Sequence, residues 1–142
     1  MFLQSTIPLD LIQAFRETAY RVDAPEPFVL SVDKRSESLE KLYATHSVSS
    51  CAFITAWNPY SESFSAEDNS TRQTRLAKDV RALGLKLIEG EGNHPNGLWP
   101  GEASYLILGL SLDEAQKLGQ QYQQNAILWC GADAIPRLVL LK

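Results

Sequence analysis

Nine residues of this chain carry side chains suited to meeting a small polar molecule: Asn58, Tyr60, Asn69, Arg72, Trp99, Glu102, Ser104, Gln124 and Asn125. They offer amide donors and acceptors, one carboxylate, one guanidinium and aromatic surfaces, a mixture that fits a polar ligand with a flat or charged part. Glu102 is the candidate general acid or base, and its rival reading is a structural ion pair with Arg72. Ser104 stands two residues from Glu102, hence on the same strand face, and lacks the setting of an activated nucleophile, so packing against its neighbour competes with any binding role. Asn58 precedes Pro59, a pair that also makes turns. Trp99 either stacks on a ligand or anchors its loop. Gln124 and Asn125 either read a ligand's hydrogen-bonding edge or cap the helix before them.

Other chemistries lack their residues. Cys51 and Cys130 form neither a C-x-x-C pair nor a disulfide scaffold, and both are expected to be buried packing thiols. His94 has no partner at metal-ligand spacing, and no cofactor or metal is expected. The glycine-rich GEGNHPNG stretch (90–97) lacks the Lys-Ser/Thr of a phosphate loop. Arg72, Arg75, Lys78 and Arg81 recur every third residue and drift around a helix, which reads as a solvated face. With 13 basic against 17 acidic residues the net charge is −4, which disfavours nucleic acid as a partner. No apolar run approaches the ~20 residues that span a bilayer, and the N-terminus lacks a basic start and a long apolar block. The expectation is a soluble cytoplasmic protein that takes no membrane partner.

The elements that must position these side chains follow from periodicity. Residues 8–20 read as a helix, 28–32 as a strand, 36–46 as a short helix and 51–57 (CAFITAW) as a strand that stops at Asn58-Pro59. Ser65 opens a helix that Gly84 closes, residues 85–89 make a strand, 90–102 a loop and 103–110 another strand. A full capping box at Ser111–Glu114 opens the next helix, and strands at 125–130 and 136–141 end the chain. The whole, 142 residues with 44% apolar content, suits a single α+β domain over residues 1–142.

From residue 51 to 130 the order strand, helix, strand, strand, helix, strand is that of a ferredoxin-like split βαβ core, here with an extra C-terminal strand. Strands 51–57 and 103–110 would be central, and both are apolar at nearly every position, so both faces of each should be covered. Two helices cover one face. An N-terminal helix/strand/helix layer over residues 1–46 is expected on the other, with 51–142 forming the sheet core. In that topology the end of strand 51–57 lies beside the starts of strands 103–110 and 125–130, which gathers the nine residues at one rim.

T-A-W-N-P (55–59), W-P-G-E-A-S (99–104) and Q-N-A (124–126) are carried on those strand ends. On these segments the chain resembles the bacterial domain of unknown function 3293 over roughly residues 50–130. The matching polar positions are Asn58, Asn69, Glu102, Ser104, Gln124 and Asn125, and the resemblance implies no reaction. The expected function is a rim pocket for a small anionic or amide-bearing ligand. Glu102 would carry any catalysis, Asn58 and Gln124 would orient the ligand, and Arg72 would neutralise its charge. The alternative is a non-enzymatic interaction or regulatory module that pairs a protein partner through an exposed edge strand.

Overall fold

In the computed structural model, which describes residues 5–95, 97 and 101–142, the chain runs through α1 (Leu9–Glu17), β1 (Ala19–Val22), β2 (Phe28–Leu30), α2 (Glu37–His46), β3 (Cys51–Ile54), a 3-10 turn (Pro59–Ser61), α3 (Ala66–Ala82), β4 (Leu87–Asn93), β5 (Glu102–Leu108), α4 (Leu112–Gln121), β6 (Ala126–Cys130) and β7 (Arg137–Leu140). Three helices start by one chemistry. Ser36, Ser65 and Ser111 hold extended backbone and accept the amide hydrogens of Leu39, Asp68 and Glu114 at 3.1 Å, which satisfies donors that the first helical turn leaves open. Glu114 returns the bond to the Ser111 amide at 3.0 Å and completes the capping box.

The strands form one antiparallel sheet in the order β2-β1-β4-β5-β3-β6-β7. Alternation along each strand sorts its side chains onto two faces. Cys51, Phe53, Leu106, Leu108, Leu128 and Cys130 meet Leu39, Leu42 and Tyr43 of α2, whereas Ala52, Ile54, Ile107 and Ile127 meet Leu76 and Val80 of α3 and Ala115 and Leu118 of α4. Every residue of β3 is buried, as expected for a strand packed on both sides. Each fully buried leucine here contributes about 1.5–3 kcal/mol.

The N-terminal segment divides between sheet and layer. Its strands β1 and β2 join the sheet beyond β4, and α2 lies on the face opposite α3 and α4. The expected helix over 8–20 ends at Glu17, where the Thr18 hydroxyl donates to the Ala14 carbonyl at 2.7 Å, and Ala19–Val22 becomes a strand paired on both sides. The expected loop 90–102 is shorter than its glycines suggest. Gly90–Asn93 continue β4 between β1 and β5, and the close approach of β1 suits residues with little side chain. Strand 51–57 stops at Ile54, after which the Thr55 hydroxyl turns the chain by accepting the Trp57 amide at 2.9 Å.

The sheet is curled around the α2 face. Six inter-strand spacings would put β2 about 29 Å from β7 in a flat sheet. Yet the Asp33 amide, three residues past β2, donates to the Pro136 carbonyl just before β7 at 2.7 Å, and the Ser36 amide donates to Ala134 at 3.0 Å. That face is therefore concave.

Cys51 and Cys130 face each other in register on this face, both fully buried and unbridged. A hydrogen bond with Cys51 and then burial hold the Cys130 thiol far above its ordinary value. Neither cysteine should react with Ellman's reagent in the native protein, and both should react in denaturant. Rapid labelling of either under native conditions would contradict this packing.

Candidate functional site

The same alternation that buries Leu106 and Leu108 puts Glu102 and Ser104 on the concave face, toward the start of β5. On that face Phe53 is followed by Thr55, Leu128 is preceded by Ala126, and β1 and β4 contribute Tyr20 and Gly92. The core thus turns from apolar to polar at one end. α2 covers the apolar part, and Leu11 and Phe15 of α1 reach over the polar part. Between them lies a cavity of about 170 Å³ to which six of the seven strands contribute. Its rim is made by Asn58, Ser61 and Ser63 after β3 and by Gln124 and Asn125 before β6. In register, Tyr20 pairs with Gly92 and Gly92 with Glu102, so the residue between the phenol and the carboxylate has no side chain and leaves space there.

Glu102 dominates the electrostatics. Burial pushes its carboxyl up to about 7, while a hydrogen bond with the Asn58 side chain acts in the opposite direction. Burial also raises the Tyr20 phenol, which Thr18 partly offsets and the nearby Glu102 charge reinforces. Among the described residues lining the cavity there is no lysine or arginine.

Local bonding explains how the rim is held. Asn69, 1% exposed on α3, accepts the Asn58 amide at 2.8 Å and donates to the Asn58 side-chain oxygen at 2.8 Å and to the Phe64 carbonyl at 3.3 Å. The Asn58 oxygen also accepts the Phe64 amide at 3.0 Å. Asn58, Tyr60 and Ser61 all adopt positive φ (45°, 52° and 62°), a conformation that non-glycine side chains rarely take. At the end of α4 the Gln124 amide returns to the Gly119 carbonyl at 3.0 Å, while Gln123 has φ 58°, which closes the helix and directs Gln124 and Asn125 to the rim. Replacing Asn69 by alanine should cost about 1–2 kcal/mol, because the Asn58 and Phe64 backbone groups lose their partner. Urea unfolding checks this, and a midpoint equal to wild type would mean that the loop is held by other contacts.

Of the nine expected residues, Asn58, Glu102, Ser104, Gln124 and Asn125 line one cavity. Three stand elsewhere. Asn69 lies behind Asn58 as its anchor. Tyr60 is exposed, with the Lys142 ammonium 4.1 Å from its ring centre. Arg72 donates to the carbonyls of Ala56 (2.8 Å) and Tyr122 (2.5 Å) and to the Gln123 side chain (3.3 Å), strapping the loop after β3 to the end of α4. It is not among the cavity residues, and its expected role as charge neutraliser has no support in its position. Trp99 lies outside the described residues. Sequence reasoning missed Thr18, Tyr20, Thr55, Ser61 and Ser63 together with Leu11, Phe15 and Leu138. Thr55 could have been found from its parity with Phe53, and Tyr20 from reading 19–22 as a strand. Nothing local marks Leu11 or Phe15. His94, buried, meets Glu17 at the end of α1 at 3.4 Å, and no group of three His, Cys, Asp or Glu side chains among the described residues could hold a metal.

Residues 54–127, half of the chain, match the model of a family described as protein of unknown function (DUF3293). The chain belongs to this family. The DUF3293 segment supplies the polar side of the cavity, with Asn58, Glu102, Ser104, Gln124 and Asn125, whereas Leu11, Phe15, Thr18, Tyr20 and Leu138 come from outside it. No curated protein and no solved structure matches the chain.

Proposed function

We propose that this DUF3293 protein binds a small, partly apolar molecule in the concave cavity and that Glu102 meets the molecule's polar group. One observation carries the reading. Glu102 stands in the wall of an open cavity with no cationic partner among the described residues, while Arg72, the residue that could have made it a structural bridge, is engaged on backbone carbonyls elsewhere. A carboxyl held there without a countercharge works against stability, a pattern met where a group is retained for function. The positive-φ loop carrying Asn58 and Ser61 to the rim supports the same reading. Asn58 and Gln124 orient the ligand. The absence of a lysine or arginine among the described lining residues counts against the anionic half of the expected ligand class. We further read β4-β5-β3-β6 with α3 and α4 as a ferredoxin-like split βαβ unit, on the support of that strand order, with β1, β2 and β7 added at its edges.

A thermal-shift screen of the full chain against a metabolite library tests the reading. A ligand at a hundred times its Kd stabilises by about 2.7 kcal/mol. That gain should vanish in Gly92→Val, whose new side chain enters the cavity where a Cβ has room, its nearest neighbours being 3.6 Å or more away. Hits that stabilise Gly92→Val as much as wild type, or a library without hits, would overturn it.

A further inference from the structure

The hydrogen-bonding groups around the cavity are unequally engaged. Gln124 directs its side-chain nitrogen to the carbonyls of Trp57 (3.3 Å) and Tyr122 (3.2 Å), which leaves its oxygen without a donor among the described residues. The Tyr20 hydroxyl already donates to Phe15 (2.6 Å), Thr55 to Ala103 (2.7 Å) and Ser104 to the Glu102 carbonyl (3.0 Å). The Asn58 oxygen is held by two donors, which turns its nitrogen toward Glu102. Asn125 directs its side-chain nitrogen to the Ser61 hydroxyl (3.0 Å), so donor capacity remains with the Ser61 and Ser63 hydroxyls at the rim, while Glu102 and the Gln124 oxygen supply acceptors, one of them a carboxylate. The walls add ring surface, since Tyr20 and Phe53 pack edge to face with centroids 5.3 Å apart and Phe15 closes over them.

We propose that the ligand carries a nitrogen cation, a protonated amine or an amidinium on a compact apolar body, whose N–H groups meet the Glu102 carboxylate and the Gln124 side-chain oxygen. This rests on the reading of the cavity as a ligand site and goes on to name the ligand's class. A carboxylate and aromatic faces are the partners a desolvated cation needs, whereas an anion would find no lysine or arginine among the described lining residues. The size agrees, because a cavity of roughly 150 Å³ admits benzene. Protonation follows the same logic. With the Glu102 carboxyl raised by burial, a bound cation favours its ionised form, so binding releases a proton from Glu102 and tightens between about pH 5 and pH 7. Among the described residues lining the cavity Tyr20 is the other titratable group, and its phenol stays neutral throughout that range.

The test compares probes of one size on the full chain by calorimetry and thermal shift: benzamidine and benzylamine as cations, benzamide as a neutral amide, benzoate as an anion. The expected result is at least tenfold tighter binding of a cation than of benzamide, no binding of benzoate, and proton release at pH 6.5 seen from the buffer dependence of the heat. Glu102→Gln should remove the preference for cations, and Gly92→Val should remove binding. Benzamide or benzoate binding as tightly as the cations would overturn the inference while leaving the cavity as a ligand site. Cation binding unaffected by either variant would place it elsewhere and overturn the inference too. No binding by any probe also overturns it, and the library screen then decides the cavity reading separately.

Discussion

Replacing Glu102 by glutamine should raise the melting temperature by about 5–10 °C at pH 8 and by no more than about 3 °C at pH 5. The native carboxyl sits at about 7, raised by burial, against an unfolded value of about 4.3. A raised pKa means that the folded state holds the proton more tightly. The stability linked to it is fully present below about pH 4.3, declines as the pH rises, and is gone above about pH 7. Each unit of displacement corresponds to about 1.4 kcal/mol, which puts the total at about 2–3 kcal/mol once partial solvent contact is allowed for. Glutamine keeps the length and removes the charge, so it should escape the cost at high pH. The difference in melting temperature between variant and wild type, followed from pH 5 to 8, isolates Glu102 because every other titrating group is common to both proteins. A variant less stable than wild type at pH 8 would mean that the ionised carboxylate anchors the fold.

Gly90→Ala should destabilise the protein by about 3 kcal/mol and lower its melting temperature by roughly 10 °C. A Cβ at Gly90 would fall inside the van der Waals envelope of the Arg21 carbonyl oxygen and 2.9 Å from Phe53 Cε2. The first obstacle is backbone of β1, which cannot rotate aside as a side chain can. Either β1 leaves its register with β4 or Phe53 and the strand shift together, and both outcomes disturb the cavity wall. Gly92→Ala is the internal control. Its Cβ would meet only ordinary contacts at 3.6 Å and beyond, so its stability should stay within about 1 kcal/mol of wild type. Urea unfolding of the two variants measures the contrast, and equal effects would contradict the pairing of β1 with β4.

The local signals that could be read without a fold were those written in a few adjacent residues. Ser36, Ser65 and Ser111 mark helix starts because an N-cap is chemistry between residues three apart. The unbroken apolar character of CAFI and LIL marks strands packed on both faces for an equally local reason. The family and the convergence of Asn58, Glu102, Ser104, Gln124 and Asn125 followed from short segments at strand ends.

Tertiary structure decided the rest. β1 hides within a helical spacing, and only pairing with β2 and β4 makes it a strand. The glycines of β4 read as a loop until β1 is seen to press against them. Arg72 and Glu102 come to the same end of the sheet, yet Arg72 is bound to backbone carbonyls outside the cavity that Glu102 lines. Sequence spacing places a residue along its own element and on one face of it, but which elements meet across that face depends on contacts between residues far apart in the chain. The curl that brings the segment after β2 to the segment before β7 is such a contact, as is the seating of α1 over Glu102. Together they make a concave polar surface into a cavity.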